Sequence, residues 1–234
     1  MDWVRGGTIP ETIQRDDGYM EEGAGPAAYV APFDEWPPAE RRALRYIRGR
    51  VADVGCGAGR VSVVLQERGF EVVGFDASPL AVRAAGIFGL RDTRCATAVG
   101  FHRDIGDFDT VILFGNNFGI FGTPERARVL LTRWAAHAAP GTRVLAESTS
   151  AYGGGAPITD RGYYQQNKEL GLAPGHTRLR IRYQDATGPW INWLFVSRAE
   201  LRGIVRGTGW RLVRIVGDQL SEPYVAILAR EPLP

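Results

Sequence analysis

Cysteine, lysine and methionine are scarce in this chain of 234 residues. Cys56 and Cys95 are the two cysteines, too few for the disulfide framework that stabilises small secreted domains. The sequence also lacks the run of about 20 apolar residues that a membrane-spanning helix needs, and its first residues show no signal-peptide pattern. A disulfide-rich secreted module and a membrane protein are therefore disfavoured, and we expect a cytoplasmic protein.

A concentrated positive charge is also missing. Lys168 is the one lysine, and the 28 basic residues nearly balance the 26 acidic ones, so the net charge is +2. No dense stripe of arginine accompanies the sequence pI of about 8.7. A nucleic acid is therefore not expected as the partner. What the chain does have is a 44% share of hydrophobic residues, enough to bury one sizeable core.

Short apolar runs alternate with helical patterns from residue 37 onward, which predicts repeated strand–helix units, an α/β fold and a mainly parallel sheet. The predicted strands are Arg50–Val54, Glu71–Phe75, Arg94–Ala98, Asp109–Phe114, Thr142–Glu147, Trp210–Val216 and Tyr224–Ala229. The predicted helices are Ala39–Ile47, Arg60–Arg68, Pro79–Phe88, Pro124–Ala138 and one that begins at a capping box, Ser197 to Glu200, and ends near Gly207.

Two segments depart from this alternation. Residues 1–36 are rich in glycine, proline and acids, and we expect a loose arm over the active site ahead of a domain of residues 37–234. Residues 148–196 form an insert: a long glycine-rich, aromatic loop and then two predicted strands, Arg178–Gln184 and Trp190–Val196. Because long loops in compact domains are commonly functional lids, we expect this insert on the substrate side.

The motif that carries chemistry lies between residues 51 and 76. The first predicted strand runs into a glycine-rich turn, DVGCGAGR at residues 53–60, which opens a helix, and the next strand leads to Asp76. Glycines in such a turn let the backbone approach a ligand and expose N–H groups at the helix N-terminus. An acid at the end of the second strand accepts hydrogen bonds from ribose hydroxyls. Together these features predict a pocket for an adenosine-bearing cofactor.

The spacing of the glycines separates two kinds of cofactor. A dinucleotide site uses G-x-G-x-x-G, whereas the pattern here is G-C-G-A-G, with Arg60 where the third glycine would stand. The segments VADVGCGAGR and VVGFDASP resemble motif I and the following acidic motif of class I S-adenosylmethionine-dependent methyltransferases. The resemblance covers about residues 37–149 and 198–230. It implies S-adenosylmethionine as cofactor and a Rossmann-like fold: a mainly parallel seven-stranded sheet that closes with an antiparallel strand pair, with the inserted β-hairpin as a lid.

A second resemblance follows the fourth strand of the domain. The segment FGNNFG, Phe114–Gly119, is similar to the Gly-Asn-Ser-Phe segment of glycine N-methyltransferases, and it looks like small-molecule and peptide methyltransferases of actinobacterial biosynthetic pathways. Such enzymes place the acceptor here, so we expect Asn116 and Asn117 to bind the cofactor or an acceptor amine. The residues alone leave open a loop whose asparagines bond to their own backbone.

Three sets of site residues are predicted from the residues and the resemblance. The catalytic candidates are Asn116, Asn117, His176 and His102. The cofactor-binding candidates are Tyr19, Tyr29, Asp53, Gly55, Cys56, Gly57, Gly59, Arg60, Asp76, Ala77, Ala98, Val99, Gly115 and Asn116, with Arg60 expected on the methionine carboxylate. The substrate-binding candidates are Phe118, Tyr152, Tyr163, Tyr164 and Trp190. Many relatives carry an acid near the end of strand three, whereas this chain has ATAV at residues 96–99, so adenine contacts are expected from backbone and apolar groups.

The predicted reaction is methyl transfer to nitrogen, or oxygen, of a small molecule or short peptide in specialised metabolism. The alternatives are an NAD(P)-binding oxidoreductase and a catalytically silent S-adenosylmethionine-binding protein. Asp104, Asp107 and Asp109 cross from a loop into a strand and do not converge, so no metal is expected. Neither a nucleic acid nor a membrane is expected as a partner, and the chain is expected to be a monomer or homodimer.

Overall fold

A computed structural model describes residues 7–153, 161–217 and 223–231, so residues 154–160 of the predicted insert lie outside the described residues. The strands are β1 (Thr12–Arg15), β2 (Met20–Glu22), β3 (Val51–Val54), β4 (Val72–Asp76), β5 (Asp92–Cys95), β6 (Thr110–Leu113), β7 (Arg143–Ser148), β8 (His176–Tyr183), β9 (Ala186–Thr187), β10 (Ile191–Leu194), β11 (Trp210–Val216) and β12 (Tyr224–Arg230). The α-helices are α1 (Pro38–Ala43), α2 (Arg60–Glu67), α3 (Pro79–Ile87), α4 (Pro124–His137), α5 (Arg161–Glu169) and α6 (Arg198–Val205). None of the helices in these ranges is long and apolar enough to cross a membrane.

The larger sheet has seven strands in the order β11–β12–β7–β6–β3–β4–β5. The five strands from β5 to β7 run parallel, and β12 pairs antiparallel with both β7 and β11. The chain reverses its direction along the sheet after β5, where it crosses over to β6 on the other side of β3. In open parallel sheets the crevice at such a switch point, outside the carboxyl ends of the strands, is where ligands bind. The predicted fold is confirmed.

Alternate strand residues face two different helical layers. On β3, Val51 packs with α1, α2 and α3, whereas Ala52 packs with α4 and α6. The spacing of buried residues on α4 shows why it is a helix: Ala127, Leu130, Leu131 and Trp134 recur at the period of one helical face. The sheet is therefore covered on both sides, which explains the continuous apolar runs of its central strands.

Strand β5 differs from its predicted position at residues 94–98. It begins at Asp92, and its register sets Cys95 opposite Asp76, so residues 96–99 turn away beyond the end of the sheet. The strand is the polar segment DTRC at the edge of the sheet, where one side has no strand partner. Because a polar edge strand gives no apolar signal, the sequence pattern pointed to the neighbouring residues instead.

The second sheet is antiparallel, with the order β10–β8–β1–β2 and β9 attached to β8. The predicted hairpin of the insert supplies β8 and β10, and the arm supplies β1 and β2. The expectation that the arm is loose was therefore wrong. Its polar β1, TIQR, fits between two strands because three of its four residues are only half-buried, so the strand needs few apolar side chains.

The capping box at α6 provides a test of local stability. The Ser197 hydroxyl accepts from the Glu200 N–H at 3.3 Å, and the Glu200 carboxylate accepts from the Ser197 N–H at 2.7 Å. We expect Ser197→Ala to lower the free energy of unfolding by about 1 kcal/mol, since one helix-end donor loses its partner. Urea denaturation measures the change. Ser197→Asp keeps an N-cap acceptor and serves as the control; equal losses in both variants would contradict the capping role.

The buried carboxyl of Asp53 provides a test by pH. Asp53 is 3% exposed on β3, and its Oδ2 accepts from the Ser62 hydroxyl of α2 at 2.6 Å. Burial raises the pKa of Asp53 to about 7, against the lowering effect of the Ser62 hydrogen bond. The folded state therefore holds this proton to a higher pH than the unfolded chain, and the stability that it contributes is lost as the pH rises through about 7. Urea denaturation should show that wild type loses more stability between about pH 5 and about pH 8 than Asp53→Asn does. The exposed Asp107→Asn is the control, and identical slopes for wild type and Asp53→Asn would refute the assignment.

Candidate active site

The glycine-rich turn joins β3 to α2 at the carboxyl edge of the large sheet. The N–H groups of Gly55 and Cys56 donate to the Phe75 carbonyl at 2.7 and 3.0 Å, which ties the turn to β4. Gly55, Gly57 and Gly59 all have a positive φ, between 57° and 88°. Residues with a Cβ rarely adopt such angles, so the turn depends on glycine.

Asp76 ends β4 beside this turn. Its Oδ2 accepts from the Gly57 N–H at 3.0 Å, and its Oδ1 accepts from the Ser78 N–H at 2.8 Å. Each carboxylate oxygen accepts about two hydrogen bonds, so each keeps a further site for a donor. The carboxylate is half-buried and held in a fixed orientation. It therefore has the geometry to receive two adjacent hydroxyls of a ribose.

The glycines divide into those that pack against protein and those that face open space. A Cβ at Gly55 would collide with the Asn117 amide, and one at Gly59 would press on Ala85 at 3.3 Å. By contrast, among the described residues a Cβ at Gly115 would have no neighbour within 4 Å, and one at Gly57 would meet only the Tyr29 ring at 3.9 Å. Backbone left open at the ends of β3 and β6 is what a ligand that lies against the strand ends requires, so these residues fit the adenosine-bearing cofactor.

The two tyrosines predicted in the arm have different environments. Tyr29 lies over Gly57 and donates its hydroxyl to the Glu11 carboxylate at 2.8 Å. Tyr19 is 46% exposed and stacks on the Arg15 guanidinium at 4.8 Å. The structure thus brings Tyr29 to the cofactor turn, whereas Tyr19 contacts its own hairpin.

Arg60 opens α2 and is already paired. Its guanidinium lies 2.7 Å from the Glu40 carboxylate and 4.7 Å from the centre of the buried Trp36 ring. This protein partner accounts for a cation at the positive end of a helix, which is otherwise unfavourable. The expected contact with a methionine carboxylate stays a prediction.

Glu40 and Glu147 are a buried carboxyl pair that the sequence analysis missed. The Gly115 N–H donates to Glu147 Oε2 at 2.5 Å and to Glu40 Oε1 at 3.2 Å. Burial, together with the charge of Glu40, raises the pKa of Glu147 well above its ordinary value. Glu147 follows three apolar strand residues at a carboxyl edge, the same signal that singled out Asp76, and could have been found. Glu40 is an acid in the first turn of a helix, which is a common arrangement, so no sequence signal could have identified it.

The two asparagines of the acceptor segment have separate tasks. Asn116 has a left-handed backbone, with φ of 61°, and its Oδ1 accepts from the Thr149 hydroxyl at 2.6 Å. Asn117 Nδ2 donates to the Gly55 carbonyl at 2.8 Å and so links the end of β6 to the glycine turn. Asn116 therefore remains the catalytic candidate of the two, and the contacts of Asn117 assign it to holding the turn.

The aromatic substrate candidates are mostly structural. Phe118 is fully buried in the main core and meets Phe121 edge-on, so the expectation that it binds substrate was wrong: the first turn after Asn116 points it inward. Tyr163 and Tyr164 are also buried, the first donating to Asp16 at 2.8 Å and the second packing in the small core of the second sheet. They fasten the arm and the insert together.

Tyr152 and Trp190 lie nearer the surface. Tyr152 is 49% exposed and donates to the Glu200 carboxylate at 3.0 Å, which joins the insert to α6. Trp190 is half-buried, with the guanidinium of Arg180 4.5 Å from its ring. Their predicted contact with a substrate remains a prediction.

His176 begins β8, beside the strand β10 that packs on the turn after Asn116. The imidazole is half-buried, and its Nδ1 has no hydrogen-bond partner among the described residues. Burial lowers the pKa of His176, although a hydrogen bond with Asn192 and the charges of Asp16 and Glu125 oppose the shift. A neutral imidazole whose Nδ1 makes no hydrogen bond is able to accept a proton from a group that reaches this buried nitrogen.

His102 lies elsewhere. Its ring packs against His137, the last residue of α4, at 5.3 Å, and its Nδ1 contacts the Val99 carbonyl at 2.8 Å. Because α4 runs back to the amino ends of the strands, this location is opposite the acceptor edge. The expectation of a catalytic role is not supported, since the connection from β5 to β6 descends in two short turns to reach the start of β6.

The remaining predicted cofactor residues lie around β5. Ala77 is exposed after Asp76, while Ala98 and Val99 are half-buried in the turn that follows β5. The Cys56 thiol is buried, and burial raises its pKa, so it is an unreactive wall of the turn. Asp104 pairs with Arg94 at 3.1 Å and Asp109 accepts from the Arg50 N–H at 2.8 Å, so these aspartates have separate partners.

Comparison with known proteins points in one direction. Residues 51–141 match a family model described as a methyltransferase domain. A glycine/sarcosine N-methyltransferase of Parasynechococcus marenigrum is 28% identical over 93% of this chain and 86% of its own length. The cypemycin N-terminal methyltransferase of a Streptomyces species is also 28% identical, over 94% of this chain and 91% of its own.

Solved structures give the same result. The crystal structure of an S-adenosylmethionine-dependent methyltransferase from Bacteroides fragilis, in complex with S-adenosylhomocysteine, is 25% identical and has a TM-score of 0.79. The match covers 98% of this chain and 91% of that one. Together with the sheet order, the glycine turn and the orientation of Asp76, these likenesses support a class I S-adenosylmethionine-dependent methyltransferase.

Proposed function

We propose that this methyltransferase moves a methyl group from S-adenosylmethionine to a nitrogen (or oxygen) of a small molecule or short peptide in specialised metabolism. The observation that carries the proposal is Asp76, whose two oxygens are oriented by the Gly57 and Ser78 N–H groups beside an open glycine turn. In this proposal the protein acts in the cytoplasm, as a monomer or homodimer, without a metal, a nucleic acid or a membrane.

The residues that would hold the cofactor follow from the contacts of the turn. Asp76 would receive the ribose hydroxyls, and Tyr29 would cover the turn. Because Gly57 and Gly115 carry no side chain, the ligand can lie directly against their backbone. Ala98 and Val99 offer apolar surface for an adenine. The bound cofactor supplies an electrophilic methyl group on a sulfonium, which an acceptor atom takes by in-line displacement. Positioning is then the main contribution of the protein.

The cover over the site supports a small acceptor or the end of a peptide. Strands β1 and β2 of the arm combine with β8, β9 and β10 of the insert in the second sheet, and β10 packs on the turn after Asn116. The Trp193 indole lies where a side chain at Gly119 would be, so the cover approaches the turn closely. Likeness to an enzyme named for the N-terminus of cypemycin agrees with an acceptor of this kind.

The charges of the cover favour an amine over an alcohol. The charges of Asp16 in the arm and Glu125 on α4 oppose the lowering of the His176 pKa by burial, and the same carboxylates would stabilise an ammonium ion as an amine arrives. The neutral imidazole can then accept the proton that the amine must lose before its lone pair attacks.

The cofactor assignment predicts a specific loss on mutation of Asp76. Asp76→Ala should weaken the binding of S-adenosylmethionine and S-adenosylhomocysteine about tenfold or more, since two charge-assisted hydrogen bonds are lost. Isothermal titration calorimetry measures both affinities, with NAD as a third ligand. The exposed Asp107→Ala at the other edge of the sheet is the matched control. Unchanged affinity in Asp76→Ala would refute the ribose assignment, and binding of NAD alone would refute the function.

The acceptor class is tested by transfer of a labelled methyl group. Glycine, sarcosine, a short peptide with a free N-terminus and a catechol form a first panel, in which we expect label in an amine. With the accepted amine, His176→Ala should lower kcat/KM about 100-fold while the cofactor affinity stays near wild type. His137→Ala, a histidine at the opposite edge, is the control. Label in the catechol alone would exclude the amine acceptor, and full activity of His176→Ala would exclude the imidazole as the proton acceptor.

A further inference from the structure

Two carboxyl groups and one guanidinium are enclosed together beneath the loop that carries Asn116. Glu40 is 0% exposed and Glu147 is 1% exposed. Both accept from the Gly115 N–H, at 3.2 and 2.5 Å, and Arg60 lies 2.7 Å from the Glu40 oxygen that does so. The other oxygen of Glu40 is buried without a hydrogen-bond partner among the described residues. Because the two side chains are within hydrogen-bonding reach, a proton on Glu147 gives this pair the donor that it lacks.

Charge balance determines how many protons the cluster holds. With both carboxyls ionised, the single cation Arg60 would leave a buried net negative charge and two carboxylates in contact. With one proton the cluster is neutral, which burial strongly favours. Burial and the charge of Glu40 raise the pKa of Glu147, so Glu147 is the member that keeps the proton at neutral pH.

We propose that Glu147 and Glu40, sharing one proton, are positioning residues of the transferase that hold the Gly115 N–H and thereby fix the loop that presents Asn116. The inference rests on the proposed function, which takes this loop as the acceptor loop. Neither carboxyl touches the reacting atoms in this assignment. Their effect reaches the site through the backbone of Gly115.

The loop needs contacts from the rest of the protein because the backbone conformation at Gly115 and Asn116 is unfavourable by itself. Gly115 and Asn116 have φ of 71° and 61°, two successive left-handed residues, and the second carries a Cβ. Such a conformation costs free energy and persists where surrounding contacts determine it. Thr149 holds the Asn116 side chain from one side, and the carboxyl pair holds the Gly115 N–H from below.

Other charged groups around the cluster leave the balance unchanged. Glu40 comes from α1, Arg60 from α2 and Glu147 from β7, whose partner on β12 at this position is the apolar Val225. Asp53 on β3 is the next acid and feels the charges of Arg60 and Glu40, but it has its own donor in a serine of α2. Because burial raises the pKa of Asp53 to about 7, this acid adds a negative charge near the cluster only on the alkaline side of that pH.

The consequence is a defined response to pH. A raised pKa means that the proton is held at neutral pH and lost on the alkaline side, where two carboxylates in contact repel and loosen their hold on Gly115. Glu147→Gln reproduces the protonated state, because its amide oxygen accepts from Gly115 and its NH₂ donates to Glu40, and it cannot titrate.

Nuclear magnetic resonance reads this response at a single amide. Labelling phenylalanine at the carbonyl carbon with ¹³C and glycine with ¹⁵N selects the four glycines that follow a phenylalanine: Gly89, Gly115, Gly119 and Gly122. As the pH is raised from neutral into the alkaline range, the Gly115 signal should shift in wild type and stay fixed in Glu147→Gln. Gly89, which follows α3 and lies outside this loop, is the internal control in both proteins.

Affinity for S-adenosylhomocysteine, measured by calorimetry over the same range, gives a second readout. Glu147→Gln should bind within about twofold of wild type at neutral pH and lose the alkaline decline, whereas Glu147→Leu should bind about tenfold more weakly. Thermal unfolding identifies a variant that fails to fold. If Glu147→Leu fails to fold, the Glu147→Gln variant alone still tests whether the carboxyl pair shares a proton.

Several results would overturn the proposal: a Gly115 signal that ignores pH in wild type, one that titrates equally in Glu147→Gln, or a tenfold loss of affinity in the glutamine variant at neutral pH. The last would show that a negative charge at residue 147, and no shared proton, supports the loop. These outcomes are separable from failure of the proposed function. If neither sulfur ligand bound wild type at any pH, that function would fail, while the Gly115 titration would still decide the state of the carboxyl pair.

Discussion

Parallel strands end at one edge of the sheet, and each leaves backbone N–H groups there without a strand partner. Much of this structure depends on how those groups are satisfied. At β3 and β4 the Phe75 carbonyl and the Asp76 carboxylate accept from the glycine turn, and at β6 the acids Glu40 and Glu147 accept from Gly115. Among these acceptors the Asp76 carboxylate keeps a site for a further donor on each oxygen, whereas Arg60 pairs with Glu40. The acceptors at this edge therefore stabilise the end of the sheet, and they can also bind a hydroxyl or an ammonium ion.

Local patterns were sufficient to predict the sheet and the cofactor turn. The glycine turn, the acid that ends β4 and the periodicity of α4 each lie within about one supersecondary unit, so neighbouring residues in sequence are also neighbours in space. The capping box at Ser197 is local for the same reason. The predicted position of strand β5 was wrong by a few residues, because an edge strand does not need the apolar pattern by which strands are recognised.

Contacts between distant segments were beyond the reach of these patterns. Glu40 and Glu147 are far apart in sequence and meet only because α1 packs beneath the ends of β6 and β7. Phe118 resembles a site residue by position in its motif, yet one turn of backbone directs it into the core. His102 follows β5 in sequence as an acceptor residue would, but the path of the connection carries it to the opposite edge. Sequence spacing shows which residues are close along the chain, but it does not show in which direction a loop leaves its strand.

The central position of β1 in the second sheet bears on how the molecule is made. Thr12 pairs with Arg182, and Arg15 pairs with Leu179. The partner strand of the arm is therefore synthesised more than 160 residues after the arm itself. At a synthesis rate of roughly 5–20 residues per second, the arm spends on the order of ten seconds or more without its partner. Its polar sequence, TIQR, is suited to that interval, since an unpaired apolar strand would invite aggregation. The second sheet can thus form only after β8 has been synthesised, when the strands of the glycine turn have already emerged.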